Sequence, residues 1–297
     1  MVVQNLHVRS DTSQASPLLV AHRGASAHRA EHTLAAYALA LEQGADGVEC
    51  DVRLTRDGHL VCVHDRTVNR TSDGRGVVSE LTLAALSGLD YGHWHDELPE
   101  SADELVGVPT AVPSAPKHGR GLLTLDDLLG LVTDVSPTAK LFVETKHPVR
   151  YGGLVEAKLV ALLARHGLSK PATKEDSRVT VMSFSSAAMR RVTDDAPYLP
   201  TVLLLRRMRG AAANGSLPPW IDIAGPGVHL LRADPDYVRR VHARGHAVYC
   251  WTLDDPSGLI PVDNPDDVLF CRELGVRYFA TNSPASTRRV LERDARR

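Results

Sequence analysis

Four short strings of acid, histidine and base follow one another along the chain: His22-Arg23-Gly24, Glu49-Cys50-Asp51, His64-Asp65 and Glu144-Thr145-Lys146. Glu49 and Asp51 stand two apart in a run of β-formers, so both side chains leave one face of a strand. Buried together without a cation, such carboxylates repel and take up protons. With Glu144 they would form an oxygen-rich cage suited to Mg²⁺ or Ca²⁺ rather than Zn²⁺, and the thiol of nearby Cys62 would have no role toward a hard cation. His22 and His64 come from separate strand ends. An imidazole has an ordinary pKa of about 6.5, so one could take a proton from a nucleophile while the other delivers one to a leaving alkoxide. Arg23 and Lys146 carry the positive charge that a phosphate diester and its transition state demand, although pairs that merely balance the acids would read the same. Phe184 and Trp251 end two further strand-like runs, where they would either pack on the carbon skeleton of a small alcohol or fill a core.

Each string follows a β-forming run, and eight such runs are legible as parallel strands at 18–22, 47–52, 140–144, 179–183, 201–205, 222–225, 247–252 and 277–281. Helical patterns at 33–43, 154–166, 186–194, 235–244, 266–274 and 286–293 separate most of them, with stops at Gly44, Gly167, Gly245 and Gly275. Strand then helix, repeated, implies a parallel sheet, and eight strands predict closure into a (β/α)8 TIM-type barrel, whose strand ends converge on one mouth where active sites form. The alternative is an open doubly wound sheet, but no GxGxxG follows the first strand.

One run breaks the repeat. Leu60 to Val63 comes too soon after Val52 for a parallel crossover, and Thr55-Arg56-Asp57-Gly58 between them is a turn. An extra β-hairpin is therefore expected at the rim. With a four-residue loop Leu54 pairs with His59 and His64 lies opposite Glu49, so that His64, Glu49 and Asp51 share one face. Residues 65–139 then form an irregular insertion over the mouth, with short helices near 81–86 and at 122–132, the latter capped near Thr124. Its apolar runs are too short for a separate core, so the chain reads as a single domain over 1–297 with the barrel at about 18–290.

Composition agrees. The 297 residues, 43% of them hydrophobic, can bury a full core. A formal charge of -2 argues against a nucleic-acid or anionic-lipid binder. The N-terminus shows neither a basic start nor an apolar run, and nothing approaches the roughly 20 apolar residues of a membrane helix. Cys50, Cys62, Cys250 and Cys271 lack paired spacing and read as reduced core residues of a cytoplasmic protein.

Taken in order, Val20 to Ser26, Glu31 to Tyr37, Gly44 to Gly58, Leu60 to Asp65, Asn69-Arg70-Thr71, Thr124-Leu125, Phe142 to Lys146, Ser183-Phe184, Trp251-Thr252 and Thr281 to Pro284 resemble the glycerophosphodiester phosphodiesterases across residues 18–284. The resemblance implies one divalent cation, Ca²⁺ or Mg²⁺, held by Glu49, Asp51 and Glu144. It also implies acid–base histidines at His22 and His64, phosphate contacts from Arg23 and Lys146, and an aromatic wall at Trp251. The implied reaction is hydrolysis of deacylated phospholipids to sn-glycerol 3-phosphate and an alcohol such as choline or ethanolamine. A lysophospholipase D acting on singly acylated lipids would need an apolar groove at the rim, which the polar, Pro-rich stretch 98–123 does not suggest. A barrel that only binds phosphorylated metabolites would lack a histidine or a carboxylate, and none is missing. Three departures stand out: Ala30-Glu31-His32 where the family often has Pro-Glu-Asn, Thr281-Asn282 for Thr-Asp, and a small insertion at 258–264. None is expected to touch the residues assigned above.

Overall fold

The computed structural model describes residues 16–96, 120–252 and 263–296. Among these residues nine strands form one sheet: β1 (Leu18–His22), β2 (Gly47–Leu54), β3 (Leu60–Cys62), β4 (Lys140–Thr145), β5 (Val179–Ser183), β6 (Thr201–Leu205), β7 (Ile223–Pro226), β8 (Ala247–Cys250) and β9 (Tyr278–Thr281). All but β3 run parallel, and β1 pairs with both β9 and β2, which closes the eight-stranded barrel. The expected (β/α)8 architecture is the one observed.

Alternation along the strands decides what reaches the mouth. On β2, Val48, Cys50 and Val52 face outward into the layer beneath the helices, which leaves Glu49 and Asp51 pointing into the barrel. On β4, Leu141 and Val143 face outward while Phe142 enters the interior, so Glu144 follows Phe142 one pleat nearer the mouth. The register pairs Asp51 with Glu144 directly. Below the acids the barrel is plugged by aromatic rings, with the Phe142 centroid 5.4 Å from that of Tyr249 and 5.1 Å from that of Tyr278. Burying a ring such as Phe142 contributes roughly 1.5–3 kcal/mol, enough to make this layer a firm floor for the acids above it.

The cap expected at Thr124 forms, and two further helices are capped in the same way. Thr33, Thr124 and Ser185 each accept a hydrogen bond from a backbone N–H in the first turn of helices Leu34–Glu42, Leu125–Val135 and Ser186–Asp195. Helices Gly210–Ala213 and Val228–Ala233 were not anticipated, because four and six residues are too few to display a 3.6-residue period.

The hairpin forms, but in a register one residue from that expected: Leu54 pairs with Leu60 and Val52 with Cys62. Thr55 and His59 still bond across it, Thr55 N donating to His59 O at 2.9 Å, so the loop is Arg56-Asp57-Gly58 with Gly58 at φ 86. A three-residue loop with a left-handed glycine is a favoured hairpin closure, and it absorbs the extra residue. His64 therefore does not reach the mouth by strand alternation. The last registered pair is Val52 with Cys62, Val63 N still donates to Asp51 O at 3.0 Å, and Arg53 then holds the carbonyl of His64 through Nη2 at 2.7 Å. The insertion departs from expectation as well. Its described part has a small core of its own, with Val61, Val63, Val68, Val78, Leu86 and Tyr91 packed on one face of β3. Most of the segment 98–121 and most of 258–264 lie outside the described residues.

Candidate active site

Glu49, Asp51 and Glu144 converge as predicted: all three are buried, and one oxygen from each lies within 4.8 Å of the others. Burial and the neighbouring Asp51 push Glu49 well above the usual carboxylate range. Glu144 is pushed up to about 7 by burial, with Asp51 adding to it against Lys146. For Asp51 burial also opposes ionisation, yet Lys146, His64, a His32 hydrogen bond and Arg23 together hold it well below. Lys146 Nζ sits 2.8 Å from Asp51 Oδ1 and 2.9 Å from Glu144 Oε1. Burial works against its charge, and these two carboxylates more than restore it.

Arg23 is the hub of the cage. Its backbone N donates to Glu49 Oε2 at 3.0 Å, Nη1 donates to Glu31 Oε2 at 3.2 Å, and Nε lies 3.3 Å from Asp51 Oδ2. The turn that aims it is tight: a Cβ on Gly24 would stand 2.7 Å from the backbone of Ala36. Arg23 and His32, each at φ 59, are the non-glycine residues with positive φ among the described residues. Such backbone costs about 1 kcal/mol or more, and strain of this kind gathers at functional sites.

The two histidines meet at this mouth and line one cavity of about 360 Å³ with Arg23, Glu144, Lys146 and Trp251. Each is fixed through Nδ1. His64 Nδ1 lies 2.7 Å from Asp65 Oδ1, and Arg70 anchors Asp65 through Nε while gripping Glu31 through both of its terminal nitrogens. Burial and Arg23 lower the His64 pKa. His22 Nδ1 lies 3.0 Å from Asn282 Oδ1. The orientation of that amide follows from its other side, where Asn282 Nδ2 donates to Asp263 Oδ1 at 3.0 Å. A carboxylate accepts only, so Oδ1 must face His22, whose Nδ1 therefore carries a proton.

Two of the three departures from the family pattern reach assigned residues, contrary to expectation, and the described end of the third contacts one of those two. His32 Nε2 is 3.0 Å from Asp51 Oδ2, and Asn282 holds His22. Asp263, at the described end of the 258–264 insertion, accepts hydrogen bonds from the backbone N–H groups of Asn282 and Ser283.

Phe184 and Trp251 stand edge-on at 5.8 Å and line the cavity while packing on the interior cluster, so neither sequence reading of them excludes the other. Several contributors escaped sequence reasoning. Glu31 and Arg70 lie 39 residues apart, and only an unassigned Asn69-Arg70-Thr71 string hinted at the second. Arg206 and His229 join the aromatic wall without any motif. Tyr249 belongs to the cavity wall, and its buried hydroxyl has no hydrogen-bond partner among the described residues.

A closed parallel barrel with a carboxylate cage, two anchored histidines and two bases at one mouth defines an enzyme of phosphate-ester chemistry. The profile of the Glycerophosphoryl diester phosphodiesterase family matches residues 22–286, and the chain belongs to that family. It is 51% identical over 276 residues to Probable glycerophosphodiester phosphodiesterase 1 of Mycobacterium tuberculosis, covering 93% of each chain. To Glycerophosphodiester phosphodiesterase of Bacillus subtilis it is 33% identical over 275 residues, covering 90% of this chain and 84% of the other. The fold matches that of an Oleispira antarctica phosphodiesterase solved in complex with the product sn-glycerol-3-phosphate. The TM-score is 0.74 at 22% identity, over 93% of this chain and 97% of that one.

Proposed function

We propose that this protein is a divalent-cation-dependent phosphodiesterase that hydrolyses glycerophosphodiesters to sn-glycerol 3-phosphate and an alcohol. The observation that carries this reading is the buried three-carboxylate cage beneath two histidines fixed through Nδ1. The name of the Mycobacterium tuberculosis relative and the product held by the Oleispira antarctica protein support it. The donor set fits a hard cation: Glu49 and Glu144 are carboxylates whose charge is too costly without one. When bound there, Ca²⁺ or Mg²⁺ would polarise a phosphate oxygen and engage the hydroxyls of the glycerol unit.

The chain's own groups do the rest. Lys146 and the Arg23 guanidinium offset the negative charge that builds on the phosphorus oxygens. One histidine takes a proton at Nε2 from the attacking water or from the neighbouring glycerol hydroxyl, and the other delivers a proton to the departing alkoxide. Attack by water breaks one P–O bond and makes another, and attack by the glycerol hydroxyl passes through a cyclic phosphate that water then opens. The four cysteines are buried and free, which supports a reducing compartment, the cytoplasm. No helix among the described residues is long and apolar enough to cross a membrane.

The test is turnover of glycerophosphocholine and of its singly acylated counterpart, each with and without chelator. Cleavage of the deacylated diester alone, abolished by chelation and restored by Ca²⁺ or Mg²⁺, is the expected result. Preference for the acylated lipid would reassign the protein to lysophospholipase D chemistry, and absence of turnover on both would leave a binding barrel.

Arg23 gives a sharper check. Transition-state donors are commonly worth about 2.7–4 kcal/mol, so Arg23→Ala should lower kcat/KM by at least ~100-fold. Arg23→Lys should recover little, because one ammonium cannot reach both Glu31 and Asp51 as the guanidinium does. A loss of only a few fold would reduce Arg23 to a balancing charge.

A further inference from the structure

The far wall of the cavity is built from the ends of β5 to β8 and faces the carboxylate cage. Phe184 and Trp251 supply its aromatic surface, and on its own an aromatic pair would suit a quaternary ammonium. Here that surface is already occupied. The Arg206 guanidinium carbon lies 4.3 Å from the Phe184 ring centroid, so this ring face holds a resident cation. Arg206 has no ion-pair partner, which leaves its charge uncompensated among the described residues. The Trp251 ring is crowded by His229, which stands edge-on at 5.9 Å. Gly227 makes room for both: a Cβ there would lie 2.8 Å from His229 Nδ1 and 3.1 Å from Trp251 Cζ2. The Trp251 indole is fixed in turn by donation from Nε1 to Gly225 O at 2.9 Å.

Resting on the phosphodiesterase reading, which puts the glycerol unit at the cage, we propose that the Phe184–Arg206–His229–Trp251 wall selects glycerophosphodiesters whose other alcohol is a neutral polyol or an anion over those whose alcohol is a cation such as choline. A cationic head group entering here meets Arg206 at close range and finds the Phe184 face taken. A hydroxyl or carboxylate meets guanidinium donors instead. Because Arg206 is solvent-exposed, the discrimination is moderate and weakens with salt.

Two substrates of one shape isolate the charge: glycerophosphocholine and its 3,3-dimethylbutyl ester, in which carbon replaces the quaternary nitrogen. The ratio of kcat/KM, neutral over cationic, should fall by about 3–10-fold from wild type to Arg206→Gln, and further in Arg206→Glu. Comparing ratios cancels the different leaving tendencies of the two alcohols. A ratio unchanged in both variants would overturn the proposal. Should no version of the protein cleave either diester, the phosphodiesterase reading falls. The calorimetric Kd ratio of the two compounds on wild type and Arg206→Gln then decides the wall on its own, with equal ratios overturning it.

Discussion

His64→Ala should lower kcat by about 10²–10⁴-fold while leaving Tm and cation affinity nearly intact. The expectation rests on where the residue stands. Its side chain is about one-third exposed at the rim, and it holds up no part of the core. Asp65 remains tied to Arg70 when the imidazole is gone. His22→Ala should behave alike, since Asn282 Oδ1 keeps its contact with the Ser26 hydroxyl and Nδ2 keeps Asp263. The double variant should be little worse than either single one, as for residues that act as a unit on one reaction. Stopped assays on the three variants, with melting curves beside them, read this directly. Multiplicative losses would argue against a shared acid–base role, and a large fall in Tm for His64→Ala would make it a structural residue.

The barrel was legible because its strands read as β-forming runs and several of its helices end on glycine stops. Val48-Glu49-Cys50-Asp51-Val52 displays both faces of β2 at once, and the same logic extends from Phe142 to Glu144 and Lys146. Where alternation stopped, prediction lost its footing. The hairpin register depended on whether Gly58 would take a left-handed conformation and shorten the loop, a choice worth little energy locally and settled by packing on either side of β3. His64 still reaches the mouth, through the Arg53 clamp on its carbonyl rather than by the pairing expected. The supporting network was least legible. Glu31 with Arg70, His32 with Asp51, and Asp263 with Asn282 join residues that lie 19 or more apart in sequence. Such pairs follow no local period, and they appear only when the strand ends are brought together. The departures from the family pattern illustrate the point: read along the chain they looked remote from the chemistry, yet in the fold His32 and Asn282 each lie one hydrogen bond from it and Asp263 lies two.

Glu49→Gln should change stability and cation binding in opposite senses, which a residue of merely structural value would not do. In wild type without a cation, Glu144 rises from 4.5 to about 7 on folding, so the folded protein keeps a proton that the unfolded chain releases. The stability this group contributes is fully present below about pH 4.5 and is lost as pH rises through about 7. Glu49, driven in the same direction by burial and Asp51, adds to that loss. A bound divalent cation replaces the protons, so the gain in Tm on adding millimolar Ca²⁺ or Mg²⁺ should be larger at pH 8 than at pH 5. Gln keeps the side-chain oxygen that accepts from Arg23 N but removes one charge from the cage. In chelator at pH 8 the variant should therefore melt at or above the wild-type temperature. Its cation affinity should fall by at least ~10-fold and its activity at least as far, because a direct ligand matters no less than the outer partners whose loss commonly costs about 10–100-fold. Calorimetric titration of both proteins with Ca²⁺ and Mg²⁺ measures the affinity, and melting curves at the two pH values measure the linkage. Equal affinity in variant and wild type would remove Glu49 from the cage, and a cation-induced gain in Tm independent of pH would mean that the three carboxylates do not share the ion.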